Sequence, residues 1–292
     1  AERFSGKNLT LPILSNIMME TVGNNIKITA TNLEHAIQIN INGKILKEGK
    51  ICIPAKTINS LIQSLKEDKL DLEEKQNSLI LKTLSKEARI NGLVSEDFPL
   101  IPLIKSNFSL NIDAQELKSG LEKVLPAVAV SDFKPEFTGV YFNFNSSGEL
   151  KLAATDTFRL AEETIKLDSK KLPDNISFIV PQIISRELTK IINQEPEVKM
   201  SLGDNQIIFE VGDIKITSRL IDGGFPEYKN IIPKNFENSA FVNRNELRDI
   251  VKTASIFSSK LSDIMLEFQD KEIKIRSANS DLGEYKTALQ AK

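Results

Sequence analysis

Residues 14–37 read LSNIMMETVGNNIKITATNLEHAI, residues 137–160 read FTGVYFNFNSSGELKLAATDTFRL, and residues 261–285 read LSDIMLEFQDKEIKIRSANSDLGEY. Aligned on Ile26-Lys27-Ile28, Leu150-Lys151-Leu152 and Ile273-Lys274-Ile275, the stretches lie 124 and then 123 residues apart. A repeat of this length is a whole domain, longer than the roughly 20–50 residues of one solenoid turn. The chain is built from near-copies of one domain, and its role follows from how they are arranged.

The repeat extends beyond these stretches. Ile51-Cys52-Ile53-Pro54 is answered by Ile179-Val180-Pro181, and Asp97-Phe98-Pro99 by Gly224-Phe225-Pro226, both at a spacing of 127. At the same spacing Ala88-Arg89-Ile90-Asn91-Gly92-Leu93 aligns with Lys215-Ile216-Thr217-Ser218-Arg219-Leu220. Leu110 to Leu117 resembles Phe241 to Leu247. On this reading only the middle copy is complete. The first is expected to lack its opening strand and most of its first helix, and the third to hold only its first half. The expected boundaries are 1–104, 105–230 and 231–292.

Local patterns give the elements. Ile26 to Ala30 and Leu150 to Ala153 alternate apolar and polar residues, as half-buried antiparallel strands do. Gly23-Asn24-Asn25 and Asn145-Ser146-Ser147-Gly148 supply turn residues for hairpins. Asp113 and Glu116 form a capping box ahead of Leu117, Leu121, Val124 and Leu125, which share one helical face. Further helices are expected over Thr57–Leu65 and Gln182–Ile192, each preceded by a proline, and over Asn245–Ile256. Pro99–Asn107 and Tyr228–Lys234 read as linkers. Strands and two helices, repeated, describe an α+β architecture.

Composition narrows the function. The 292 residues leave room for about two ordinary domains or three small ones. With 38 basic and 40 acidic side chains, the net charge of −2 argues against tight non-specific binding of nucleic acid. It does not exclude DNA, because the placement of charge sets the local potential. No run approaches the ~18 apolar residues of a membrane span. The single Cys52 cannot form an internal disulfide and fits a cytoplasmic location.

Catalytic chemistry has few candidates. His35 is the only histidine, placed after Glu34 at the end of a strand-like segment, and no second His or Cys accompanies it for a zinc site. Cys52, between Ile51 and Ile53, reads as a small core residue. Glu73-Glu74 and Glu162-Glu163 are adjacent strand residues and point to opposite sides. No phosphate-binding loop, dinucleotide fingerprint or nucleophile elbow is present. No catalytic residue, metal ligand or cofactor is expected.

Several blocks resemble one family. Thr10-Leu11-Pro12-Ile13-Leu14-Ser15-Asn16, Ala30-Thr31-Asn32-Leu33-Glu34, Ala154-Thr155-Asp156-Thr157-Phe158-Arg159-Leu160, Ser95-Glu96-Asp97-Phe98-Pro99 and Ile221 to Tyr228 are similar, in order and spacing, to the bacterial DNA polymerase III β subunit, the sliding clamp. The resemblance implies three tandem clamp domains with antiparallel sheets outside and two helices per domain inside. It also implies a head-to-tail homodimer that closes as a ring around duplex DNA, pairing the edge of domain one with that of domain three. Such a protein is a non-catalytic processivity subunit; nucleotidyl transfer belongs to the polymerase holoenzyme. The alternative is a tandem-repeat interaction scaffold that does not encircle DNA.

The resemblance implies two sites. Lys56, Lys118, Lys123, Arg186, Lys190, Arg248 and Lys252 would face DNA from the helices, contacting phosphates without reading sequence. The family often has a basic residue after the proline that opens the second helix; here the second copy has Gln182. A peptide groove between domains two and three would use Phe137, Thr155, Thr157, Phe158, Arg159, Leu160, Pro226, Asn230 and Ile231. Polymerase subunits, the clamp loader and repair proteins would dock there through short apolar motifs. Thr157, Phe158 and Asn230 depart from the commoner glycine, histidine and arginine. No membrane partner is expected.

Overall fold

Turn chemistry divides the first copy into strands. The computed structural model describes residues 1–6, 11–67, 69–102, 105–130, 134–167 and 176–292. Thr10 of the first motif and residues 103–104 of the first linker lie outside these. The first copy runs β1 (Asn16–Val22), β2 (Asn25–Thr31), β3 (His35–Asn42), β4 (Lys50–Pro54), α1 (Ala55–Ser64), β5 (Asp71–Glu74), β6 (Ser78–Lys82) and β7 (Glu87–Asn91). Gly23, at φ 57°, makes the β1–β2 turn that an L-residue rarely adopts.

The second copy runs β8 (Phe108–Asp113), α2 (Ala114–Val124), β9 (Gly139–Asn145), β10 (Glu149–Thr155), β11 (Leu160–Lys166), β12 (Ile176–Pro181), α3 (Gln182–Ile191), β13 (Glu197–Leu202), β14 (Gln206–Val211) and β15 (Ile214–Arg219). The expected cap is present: Asp113 accepts the Glu116 amide at 2.8 Å. Asn145 accepts the amides of Ser147 at 3.1 Å and Glu149 at 3.0 Å, closing the β9–β10 hairpin.

Two compact units result, Ala1–Pro226 and Glu227–Lys292. In the first unit β4-β1-β2-β3-β15-β14-β13-β8 form one eight-stranded antiparallel sheet, which passes from the first copy to the second through the β3–β15 seam. Beside it stand β11-β10-β9-β12 and β5-β6-β7. The α2 helix packs on strands of two of these sheets, β10 and β11 of one and β8 and β13 of the other, and lies against α3. Leu117, Leu121 and Val124, spaced to share a face, are fully buried there. At the seam Ile37 pairs with Ile216, and both are buried, each such side chain contributing roughly 1.5–3 kcal/mol.

The second unit contains α4 (Arg244–Ile256), β16 (Met265–Phe268), β17 (Glu272–Asn279) and β18 (Gly283–Gln290). Asn243 caps α4 by accepting the Asn245 and Glu246 amides at 2.9 and 3.2 Å. The three strands form a sheet in the order β16-β17-β18, with Ala254, Ile273, Ile275 and Leu289 as its core.

Two details correct the sequence reading. His35 opens β3 rather than ending a strand, because Asn32 turns the chain immediately after β2. The pairing of Ala88–Leu93 with Lys215–Leu220 is one residue out. Ser78 pairs with Asn91 as Gln206 pairs with Arg219, and the bridges Cys52–Leu93 and Ile179–Ile221 agree, so the spacing here is 128. A slip of one would turn every side chain of a strand to the wrong face. At 128, the core-facing Ala88 and Ile90 fall on Ile216 and Ser218.

Candidate functional site

The A-T-D-x-x-R-L block forms a loop held by its own side chains. Thr155 Oγ1 accepts the Thr157 amide at 3.1 Å, and Asp156 Oδ1 accepts the amides of Phe158 at 3.0 Å and Arg159 at 2.7 Å. Thr157 sits at φ 77°, a costly conformation for a β-branched residue. Arg159 returns two hydrogen bonds to Asp156 Oδ2, from Nε at 3.0 Å and Nη2 at 2.8 Å. The hydrogen bonds from the Arg159 amide and guanidinium hold the Asp156 carboxyl below the usual range.

The same loop occurs in the first copy. Thr31 Oγ1 accepts the Leu33 amide at 3.0 Å, Asn32 Oδ1 accepts the amides of Glu34 and His35 at 3.0 and 2.8 Å, and Leu33 also lies at φ 77°. In the third copy Asn279 Oδ1 takes the Asp281 and Leu282 amides at 2.9 and 3.2 Å. There Ala278 replaces the threonine, so no hydroxyl can accept the amide two residues on, that of Ser280. Ser280 does not take up a positive φ. The positive φ therefore goes with the threonine hydroxyl.

In the second copy the loop displays its side chains. Phe158 is 95% exposed, whereas Thr155 is buried and Leu160 half-buried. Phe137 is buried beside an aromatic group: Phe225 meets it edge-on at 6.4 Å and stacks on Tyr141 at 4.6 Å. The Lys134 ammonium lies 5.4 Å from the Phe137 ring centroid, within cation–π range. Pro226, next to Phe225, is exposed. Phe137, Thr155, Thr157, Phe158, Arg159, Leu160 and Pro226 belong to the first compact unit. Asn230 and Ile231 belong to the second, where both are exposed on the short 3-10 turn Tyr228–Ile231.

The sequence reading passed over Asp156, Tyr141, Phe225 and Lys134 as site residues. Asp156 was visible inside the block as a turn-forming acid. Phe225 was visible in the repeated Phe-Pro dipeptide. Tyr141 and Lys134 are brought to Phe225 and Phe137 by the chain's path, which carries no local signal.

Every basic candidate lies on a helix, with varied company. Lys118 donates to the Ile192 carbonyl at 3.0 Å, and Lys123 pairs with Glu163 at 2.6 Å. Lys190 and Arg3 pair with Glu187 at 2.7 and 2.9 Å. Burial raises the Glu187 pKa, but the hydrogen bonds from Lys190 and Arg3 outweigh it and hold the carboxyl below its usual range. Arg248 pairs with Asp249 at 3.2 Å. Lys56, Arg186 and Lys252 are exposed and have no ion pair among the described residues. With Arg244, which the sequence reading omitted, the four helices carry eight basic and five acidic side chains, against the chain's overall excess of acid. The Gln182 side-chain nitrogen is buried with no hydrogen-bond partner among the described residues.

The other reactive side chains are structural. Cys52 is fully buried in β4, and burial pushes its thiol up to about 11, far from a nucleophile's range. His35 faces Ser218 across the seam, its Nδ1 3.5 Å from the hydroxyl, and burial lowers its pKa. Among the described residues no group of three His, Cys, Asp or Glu side chains is placed to hold a metal, and no helix is long and apolar enough to cross a membrane.

Comparison with known proteins matches the whole pattern. Residues 2–102, 111–227 and 229–292 match the family models for the DNA polymerase III beta subunit: N-terminal, central and C-terminal domains respectively. The beta sliding clamp of Staphylococcus epidermidis is 28% identical over 295 residues, covering 97% of this chain and 77% of that protein. The Staphylococcus aureus clamp is 27% identical with the same coverage. Among solved structures, the sliding clamp of Pseudomonas aeruginosa bound to griselimycin is similar with a TM-score of 0.90 and 25% identity, over 100% of this chain and 79% of that one. The Thermotoga maritima beta subunit gives 0.89 at 25%, over 100% and 80%. Together the three family-model matches take in nearly all of the chain, which therefore belongs to the DNA polymerase III beta subunit family, the bacterial sliding clamps.

Proposed function

We propose that this chain closes with a second copy, head to tail, into a ring around duplex DNA, and that partner proteins dock on the 155–160 loop. As a family member it is a sliding clamp, a processivity factor of DNA replication without catalysis of its own. Nothing in the comparisons favours the scaffold alternative. The proposed domains are 1–104, 105–230 and 231–292.

The basic excess confined to the helices is the observation that supports the DNA-facing reading. A ring holds DNA by topology, so its lining needs only weak, sequence-independent attraction to phosphates. Lys56, Arg186 and Lys252, free of ion pairs among the described residues, are the strongest contributors we propose. Lys123, Lys190 and Arg248 are paired with carboxylates and contribute less, and Lys118 is tied to the Ile192 carbonyl with its charge unpaired.

The docking residues we propose are Phe137, Thr155, Thr157, Phe158, Arg159, Leu160 and Pro226 on the first unit and, separately, Asn230 and Ile231 on the second. Apolar anchors with a charged rim suit a short apolar peptide. The Pseudomonas clamp, whose similar structure is bound to griselimycin, lends weight to a ligand site on this fold. Polymerase subunits, a clamp loader and repair proteins are the proposed partners, in the cytoplasm.

Loading the protein onto circular and linearised DNA tests the ring. Retention on circles with loss from free ends is expected. Equal retention on both would sink it.

A further inference from the structure

Asn42-Gly43 and Asn91-Gly92 are the two Asn-Gly dipeptides of the chain. Such a pair is chemically labile, because glycine has no side chain to keep its amide nitrogen away from the asparagine side chain before it. Each asparagine is the last residue of a strand, β3 in one case and β7 in the other. The fold therefore sets the same chemistry in two surroundings.

At 91–92 both reacting groups are held. Asn91 Oδ1 accepts the Ser78 hydroxyl at 3.3 Å, and the Gly92 amide donates to the Asn77 carbonyl at 2.8 Å. Gly92 is also walled in: a Cβ there would stand 2.6 Å from the Cys52 carbonyl oxygen and 2.9 Å from the Ile51 side chain. At 42–43 both groups are loose. Asn42 is exposed, and its side chain has no hydrogen bond among the described residues. The Gly43 amide reaches the Asn24 carbonyl only at 3.3 Å, and the chain after it leaves the sheet. A Cβ on Gly43 would meet only the Ile26 side chain, at 3.6 Å, an ordinary contact.

We propose that Asn42 is a site of spontaneous deamidation, which turns the Asn42–Gly43 link into an isoaspartyl one, and that the packing around Asn91 protects it. The Gly43 nitrogen attacks the Asn42 side-chain carbonyl carbon and closes a five-membered succinimide. The bond from that carbon to Nδ2 breaks, and ammonia leaves with the Gly43 amide proton. Water then opens the ring at either carbonyl, giving aspartate or isoaspartate. No oxidant or reductant enters.

Position gives the change its consequence. Asn42 pairs with Asn25 at the end of the β2–β3 ladder. Two residues earlier the Asn40 amide donates to the Asp213 carbonyl at 3.0 Å, across the joint between the copies. Isoaspartate routes the main chain through the side-chain carbon, and the extra methylene breaks the alternation of the strand. The new carboxylate is diagonal to Lys27, so its charge is tolerated. The harm lies in the backbone and not in the charge.

Ageing the full chain in mildly alkaline buffer, followed by peptide mass spectrometry, tests this. The Asn42 peptide is expected to gain about 1 Da, the water added less the ammonia lost, at least about tenfold faster than the Asn91 peptide. Gly43→Ala, which the packing accepts, is expected to slow that gain about tenfold or more. Unfolding in urea is expected to bring the two peptides within about threefold of each other. An isoaspartyl carboxyl methyltransferase is expected to label the aged chain. Hydrogen exchange at Asn40 is expected to accelerate in the aged chain and not in Asn42→Asp, which carries the charge on an ordinary backbone. No gain at Asn42, or equal gain at Asn91 in the folded chain, overturns the site. Equal acceleration in Asn42→Asp overturns the backbone consequence, and a difference that survives in urea overturns the protection by packing.

Discussion

The loops at 31–35 and 155–159 share one backbone and live in different surroundings. Each is held by a threonine hydroxyl and a side-chain oxygen of Asn or Asp, and each carries a residue at φ 77°. The first is built into a seam. The Arg219 amide donates to the Glu34 carbonyl at 2.9 Å, the Arg219 guanidinium lies 3.6 Å from the Glu34 carboxylate, and His35 faces Ser218. The second leaves Phe158 95% exposed and keeps Arg159 on its own Asp156. One local device therefore serves as a joint in one copy and as a display in the other; neighbours, not the loop, decide which.

That contrast yields graded predictions. Ile216→Ala removes a fully buried seam residue and is expected to cost about 2–4 kcal/mol in urea unfolding. Phe158→Ala is expected to change stability by less than about 0.5 kcal/mol while abolishing measurable capture of an apolar docking peptide. If the two variants unfold alike, the division between joint and display fails.

Next in size is the turn residue. Asn32→Ala frees two backbone amides at the seam and is expected to lower stability by about 1–2 kcal/mol. Asp156→Ala makes the same deletion in the displayed loop, so its unfolding midpoint stays close to the parent's and hydrogen exchange at Phe158 and Arg159 accelerates instead.

Acid separates the loops more gently. The folded Asp156 pKa is depressed, so its contribution is present above the unfolded carboxylate range, near 4, and is lost as pH falls through the lower folded value. Amide shifts of Phe158 and Arg159 are expected to move in that acid window, and those of Glu34 and His35, held by the uncharged Asn32, to follow it far less. The smallest effect belongs to Arg219→Ala. Its pair with Glu34 is exposed at both ends, and its loss is expected to cost at most about 0.5 kcal/mol, vanishing in high salt.

Much of this was readable in the chain. Alternation at Ile26–Ala30, the Asp113 cap and the prolines before α1 and α3 each predict an element that forms within a residue or two of its expected place. The T-[ND] dipeptides marked the loops. What could not be read depends on distant partners. The 127 spacing misaligned β7 because composition alone does not fix which face of a strand is buried; pairing with Leu79 and Leu81 does. Tyr141 on β9 reaches Phe225 only once the neighbouring strand β12 meets the segment after β15 at the Ile179–Ile221 bridge. For the basic candidates, sequence gave their helices but not that Lys123 and Lys190 would be spoken for by Glu163 and Glu187.

The seam also has a history in time. Its facing residues His35 and Ser218 are 183 positions apart. A ribosome adding about 5–20 residues per second spends roughly 10–40 s between delivering β3 and delivering its partner. Throughout that interval β3, with Ile37 and Ile39, is an open apolar edge of the kind that pairs with the wrong chain. The joint that makes two copies one sheet is thus the last part of the first unit to close during synthesis, and the nascent first copy is where a chaperone has most to protect.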